Sequence, residues 1–294
     1  MSYKRRDFIK TTSAAIAITA VTGKLFGCKS SSMLGGSDGT LKEFGLQLYT
    51  LRDVMPADPK GVLKQVAEMG YKQIESYEGA MGVFWGMKNT EFKKYMDDLG
   101  MSIVSSHCDI DKEFERKANE AAEIGMKYLI APYVGPQKSI DDFKKIADKF
   151  NQRGAICKKA GIRFAYHNHD YSFKPVDGQL PQDAMMQNTD PSLVDFEMDI
   201  YWVVTGGQDP ITWLKKYPNR FRLCHLKDRE KNAPLSEREV SVNLGTGSID
   251  FKEILKVAKQ NGMKYYILEQ EKYEVTTPLE AAKADAEYLK KLKF

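Results

Sequence analysis

No stretch of this chain reaches the roughly 20 consecutive apolar residues that a membrane-spanning helix needs. Its mildly apolar run over 11–22 is too short for that. No G-x-G-x-x-G follows the first strand-like run, so a dinucleotide-binding fold lacks its main signal. Cysteine is scarce: Cys28, Cys108, Cys157 and Cys224 are the four in 294 residues. They sit on segments far apart, which argues against a disulfide scaffold and predicts buried free thiols. Cys108 and Cys224 adjoin strand histidines, so strand alternation should turn each thiol to the opposite face, toward the helices. Excess charge is also lacking. The net charge is +4, and residues 1–27 alone account for it through Lys4, Arg5, Arg6, Lys10 and Lys24 against Asp7. The remainder is nearly neutral, so the basic balance says nothing about nucleic acid.

The amino terminus carries addresses rather than fold. Lys4-Arg5-Arg6-Asp7-Phe8-Ile9-Lys10 resembles a twin-arginine export signal, and Leu25-Phe26-Gly27-Cys28 resembles a bacterial lipobox. Residues 1–27 are therefore expected to be a signal peptide and Cys28 a lipidation site. Residues 28–40, rich in Ser and Gly, read as a flexible tether. These features predict an exported bacterial protein, periplasmic or anchored to a membrane only through its lipid. Twin-arginine export carries folded proteins, which suits an enzyme that takes up metal before crossing.

From residue 41 onward, strand-like runs alternate with amphipathic helical runs. Strands are predicted over 44–51, 71–77, 102–108, 127–133, 162–168, 193–202, 221–227 and 265–270. Helices are predicted over 59–69, 90–99, 112–124, 140–160, 182–187, 210–216, 251–260 and 278–292. With 42% hydrophobic residues the chain can fill a large core. Eight βα units in about 250 residues predict an α/β fold, a single (β/α)8 TIM barrel over 41–294.

The chemistry-bearing residues cluster at strand ends, where such a barrel opens its pocket. The four histidines, His107, His167, His169 and His225, all fall there. His167 and His169 close the fifth strand two residues apart. Asp195, Glu197 and Asp199 recur at period two on the sixth, so all three point one way. Three acids facing a dry core would be costly, so a polar interior or a metal is implied. Asp199 is the better ligand candidate, and Glu197, lying deeper, could orient a ligand. On the seventh strand His225 and Lys227 share a parity. His225 is a candidate ligand, and Lys227 a candidate for an enolate oxygen or a substrate hydroxyl. Glu269 follows an apolar run on the eighth and reads as ligand and proton-transfer base; Glu271, further out, reads as solvated. Glu75, His107, His169 and Trp202 are expected to contact substrate, with Gln47 lining the pocket or filling the barrel.

These pieces resemble the sugar phosphate isomerase/epimerase family, the xylose isomerase-like TIM barrels. The resemblance rests on Ala165-Tyr166-His167-Asn168-His169, Phe196-Glu197-Met198-Asp199-Ile200-Tyr201-Trp202, His225-Leu226-Lys227-Asp228, Gly245-Thr246-Gly247-Ser248-Ile249-Asp250-Phe251 and Leu268-Glu269-Gln270. It implies a divalent metal (Mn, Mg, Zn or Co) held by His167, Asp199, His225 and Glu269. The family usually has glutamate where His167 stands, so a two-carboxylate proton shuttle does not carry over. His169, Glu75 or a loop residue could then supply the second base.

The implied activity is a metal-dependent sugar isomerase or epimerase working through an enediolate, with Glu269, Lys227 and His169 as catalytic groups. A lyase or hydratase on keto-sugars or 3-keto-glycosides would use the same site, and export favours such unphosphorylated substrates. The other readings are a lipid-anchored carbohydrate-binding protein without turnover and a DNA-repair endonuclease. Four histidines and a neutral mature charge argue against the endonuclease. The expected partner is a small carbohydrate, with no nucleic acid; homo-oligomerisation stays open.

Overall fold

The computed structural model describes residues 39–273 and 276–294. The export signal, Cys28 and most of the tether lie outside the described residues. Eight parallel strands close into a barrel in the order β1-β10-β7-β6-β5-β4-β3-β2. They are β1 (Gly45–Gln47), β2 (Gln73–Tyr77), β3 (Ser102–His107), β4 (Tyr128–Ala131), β5 (Arg163–His167), β6 (Val194–Asp199), β7 (Phe221–Leu226) and β10 (Tyr265–Leu268). The short hairpin β8 (Asp228–Arg229) and β9 (Ser241–Val242) interrupts the loop after β7. The helices are α1 (Pro59–Glu68), α2 (Asn89–Asp98), α3 (Phe114–Glu123), α4 (Ile140–Ala160), α5 (Pro181–Gln187), α6 (Ile200–Thr205), α7 (Pro210–Lys216), α8 (Phe251–Gln260) and α9 (Pro278–Lys291).

Alternation along each strand sorts the side chains. Phe164, Tyr166, Phe196, Met198, Cys224, Leu226, Tyr266 and Leu268 join the core between strands and helices. The inward set is stacked in layers. At the bottom the Asp195 carboxylate accepts from Arg163 Nη2 at 2.9 Å and from the Tyr128 hydroxyl at 3.0 Å. Above it Ile130, Ala165, Leu223 and Ile267 form a small apolar plug. Above the plug the interior turns polar, with Glu75, His107, His167, Glu197 and His225 all buried.

Several sequence expectations shift here. The first strand ends at Gln47, and Leu48–Leu51 winds into a 3-10 turn begun when the Gln47 side chain accepts the Tyr49 N–H. The sixth strand stops at Asp199. That side chain caps α6 by accepting from the Trp202 N–H at 2.9 Å, so Trp202 sits on a helix rather than at a strand end. His169 lies two residues beyond β5. Cys108, Cys157 and Cys224 are buried free thiols, as expected. Cys108, however, lies just past β3, where alternation no longer holds, and it reaches the mouth cavity.

Two glycines mark close approaches. A Cβ at Gly154 would stand 2.7 Å from the Leu193 carbonyl oxygen, so glycine lets α4 press on the segment leading into β6. At Gly247 a Cβ would lie 2.3 Å from Asp228 Oδ1. The loop wraps that carboxylate, which accepts from the N–H groups of Arg229, Gly245, Gly247 and Ile249 at 2.8 to 3.1 Å. This is the structural work of the Gly245–Asp250 motif: Asp228 fastens the long loop that ends at α8.

Asp228→Ala strands those four N–H groups. It should cost about 3 kcal/mol, since each unsatisfied buried group forfeits about 1–3 kcal/mol before relaxation. That corresponds to a melting temperature lower by about 6–12 °C for a domain of this size. Asp228→Asn, which keeps one acceptor oxygen, should fall between the two in a thermal melt.

Candidate active site at the barrel mouth

The polar layer is organised around His225. Its Nε2 lies 2.6 Å from Glu75 Oε1, and its Nδ1 lies 3.2 Å from Glu269 Oε2. Glu75 is held from behind, accepting from Gln47 Nε2 at 2.7 Å and from Ser105 Oγ at 2.5 Å. Glu197 Oε2 gathers the other imidazoles, 2.8 Å from His107 Nε2 and 3.2 Å from His167 Nδ1. Lys227 closes the upper side. Its ammonium lies 3.0 Å from Asp199 Oδ2, 2.9 Å from Glu269 Oε2 and 3.2 Å from Glu271 Oε2. It stands 5.0 Å from the centre of the Trp202 ring, a favourable cation–π approach.

Burial disfavours every charge here, and the neighbours decide which survive. Burial opposes the charged forms of His225 and His107. The surrounding carboxylates outweigh it, holding His225 well above its ordinary range and His107 up to about 9. His167 and His169 go the other way. Burial and neighbouring cations push His167 well below its usual range and His169 down to about 3, so both imidazoles are neutral. Burial also acts on the acids. Lys227 and His225 overcome it at Glu269, which stays ionised well below the carboxylate range. At Glu197, burial and the nearby Glu75 charge push the carboxyl up to about 7. Glu271 is raised too, by burial.

A cavity of about 340 Å³ opens above this layer. It is lined by His107, His167, His169 and Glu269, all expected from the sequence, and by Glu271, Glu78, Asp109, Cys108, Pro132, Tyr49, Tyr77 and Tyr133. Four expectations need correction. Lys227, expected to meet a substrate oxygen, does not line the cavity; it lies buried behind Glu269 and Glu271. Glu75 does not face the cavity; it lies beneath, where it grips His225. Trp202 does not line it either, because α6 tucks the ring under His169 and Lys227. Glu271 is not solvated but largely buried against Lys227. The rim tyrosines were not anticipated. Tyr77, which ends β2, and Tyr49, in the turn after β1, stand at alternate positions after Glu75 and Gln47, so strand parity could have found them.

The donor set suits a divalent cation. Asp199, His225 and Glu269 each present a ligand atom, all within 4.8 Å of one another. His167 Nε2 lies 3.8 Å from Asp199 Oδ2 on the same side. Asp199 Oδ2 is buried, with the Lys227 ammonium as its near partner at 3.0 Å. A mixed imidazole and carboxylate set of this kind is chemically appropriate for zinc, manganese or cobalt. A second group, His107, His167, Glu197 and His225, is equally compact and shares His225 with the first.

The sequence profile of the xylose isomerase-like TIM barrels matches residues 63–292. The chain belongs to that family. Among curated relatives, inosose dehydratase of Clostridium beijerinckii is 31% identical over 237 residues, covering 67% of this chain and 79% of that enzyme. Inosose dehydratase of Clostridium perfringens is 31% identical over 164 residues, and that match spans 54% of the enzyme, about half its length. A solved sugar phosphate isomerase/epimerase from Parabacteroides distasonis is 32% identical. It superposes with a TM-score of 0.76, covering 85% of this chain and 98% of its own. The relatives are named as carbohydrate enzymes; the curated ones carry the name of a dehydratase, the alternative to the isomerase or epimerase expected first.

Lys227 touches the two oxygens, Asp199 Oδ2 and Glu269 Oε2, that would also bind the cation. An ammonium and a divalent ion sharing these oxygens repel one another. Lys227→Met should therefore bind zinc or manganese about tenfold more tightly, as relief of about 1.4 kcal/mol of charge repulsion. The apo form should also melt at lower temperature, because two buried carboxylates lose their counter-charge. Competition with a chromogenic chelator and a metal-free melt measure the two effects.

Proposed function

We propose that the protein is a metal-dependent lyase that removes water from a neutral keto-polyol or keto-sugar. The observation that carries this reading is the cavity wall, where Glu269 and Glu271 face one space and both accept from Lys227. An elimination needs a base for the carbon-bound proton beside the carbonyl and a proton donor for the departing hydroxyl. Two carboxylates bridged by one ammonium offer both.

Asp199, His225, Glu269 and His167 would hold the divalent ion. When bound, it stabilises negative charge developing on a substrate carbonyl oxygen. Glu269, whose carboxylate accepts from the Lys227 ammonium at 2.9 Å, takes the proton from the neighbouring carbon. Lys227, buried behind the two carboxylates, acts through them, and Glu271 delivers a proton to the leaving hydroxyl. His169 faces the cavity as a neutral imidazole with an unpartnered Nδ1, suited to hold a ring hydroxyl. Glu75 and Glu197 do not touch substrate; they fix the imidazoles from behind.

Two further facts favour water loss from an unphosphorylated substrate. Relatives along two thirds of the chain are named inosose dehydratase. Among the described residues, none lining the cavity is Lys or Arg, whereas Glu78, Asp109, Glu269 and Glu271 are acidic, a poor berth for a phosphate. The export leader expected from the sequence points the same way. Isomerisation or epimerisation by the same proton abstraction is the second reading, favoured by the names of the Parabacteroides neighbours. A binding protein without turnover has no need of this buried acid–base wall.

The metal-loaded protein should dehydrate 2-keto-myo-inositol, followed by absorbance of the unsaturated product and by NMR. It should exchange the adjacent C–H with D₂O, and a chelator should abolish both. Glu269→Gln should lower kcat by about 10²–10⁴-fold, the usual share of a general base. If the keto-polyol is neither dehydrated nor exchanged while a sugar phosphate is epimerised by the same preparation, the lyase reading is wrong.

A further inference from the structure

Two carboxylates share the cavity wall, but the fold holds them differently. Glu269 directly follows β10, and its N–H still donates to the Leu226 carbonyl of β7 at 3.1 Å. The closed sheet fixes its place. Glu271 lies two residues further on, past the end of the strand. Its backbone is held from two other loops instead.

The first is the turn after β1. Arg52 Nη2 donates to the Glu271 carbonyl oxygen at 2.8 Å. Nη1 of the same side chain donates to the Tyr49 carbonyl at 3.1 Å, and the guanidinium lies over the Tyr49 ring, 4.8 Å from its centre. Two more bonds knit this turn to the loop after β10. The Gln270 N–H donates to Thr50 Oγ1 at 3.1 Å, and the Tyr273 hydroxyl donates to the Thr50 carbonyl at 2.6 Å. The second holder is the hairpin. Ser241 Oγ, buried on β9, accepts from the N–H groups of Glu271 and Lys272 at 3.4 and 3.1 Å. The peptide joining Glu271 to Lys272 is trans, so its C=O and N–H point in opposite directions. Arg52 takes the one and Ser241 the other. Together they fix the plane of that peptide, and with it the direction in which the Glu271 side chain leaves the backbone. The carboxylate then meets the Lys227 ammonium at 3.2 Å. Neither Arg52 nor Ser241 lines the mouth cavity.

We propose that Arg52 and Ser241 are positioning residues for the loss of water: they aim the Glu271 carboxyl at the departing hydroxyl. The proposal rests on the lyase reading. In that reaction the C–H proton passes to Glu269 and its electron pair becomes the new C=C bond. The C–O bond breaks, and the hydroxyl leaves as water with the proton of Glu271. Exchange of the same C–H with D₂O needs only the first step and its reversal. Arg52 and Ser241 therefore serve dehydration and not exchange.

Metal-loaded wild-type protein and variants are given 2-keto-myo-inositol in D₂O, and NMR reads exchange and water loss in the same sample. The ratio of the two rates is independent of how much of a variant is folded. Arg52→Met keeps the stem and removes the grip. It should slow water loss about tenfold, part of the roughly 10²-fold that 1 Å of misplacement costs, and leave exchange within about twofold. Ser241→Ala, in the other loop, should move the ratio the same way by less. Arg52→Lys, which keeps a donor, should recover part of the loss. In a Glu271→Gln background Arg52→Met should move the ratio no further, because the group it positions is gone. Exchange and water loss falling together in both variants, or an Arg52→Met effect that persists in full beside Glu271→Gln, overturns the positioning role alone. A wild-type protein that does not dehydrate the probe sinks the lyase reading, and this inference with it.

Discussion

The site depends on one imidazole gripped at both nitrogens. His225 spans from Glu75 below to Glu269 above, and every other charged group in the upper barrel is arranged around that axis. The constraint behind it is the cost of burying charge. An unpaired carboxylate in this interior would cost several kcal/mol, and the barrel holds Glu75, Glu197, Asp199 and Glu269 within a few ångströms. They are tolerated because His107, His225 and Lys227 supply matching positive charge. Removing any one member shifts the proton affinities of all the rest.

That mutual dependence links stability to chemistry. The groups that neutralise the polar layer are also those that would hold a cation and move a proton. Glu269 is the clearest case: it contacts His225 and Lys227 and also faces the cavity. Glu75 is its counterpart below, buried and remote from substrate, yet it sets which nitrogen of His225 faces upward.

Much of this was legible in the sequence because inward-facing residues on a strand repeat every second position. Asp195, Glu197 and Asp199 share one face, as do His225 and Lys227, and the barrel brings Asp199, His225 and Glu269 together. What was not legible lay past the strand ends. Trp202 was read as the end of a strand, but the Asp199 carboxylate caps a helix there and turns the ring beneath the site. Glu271 was read as solvated because its burial depends on Lys227 reaching it from another strand. Glu75 was placed against substrate because its face was readable and its depth was not. Tyr133 and the hairpin after β7 belong to connecting segments, whose path is set by tertiary contacts such as the Asp228 cradle.

The floor of the barrel has a consequence for traffic. Arg163, Asp195 and Tyr128 bolt the lower end, and Ile130, Ala165, Leu223 and Ile267 seal the space above them. The candidate site is thus a well closed from below. On the proposed reading, a metal ion would have to settle before a sugar covered it. The seated sugar would then act as a stopper, holding the ion until the product had gone.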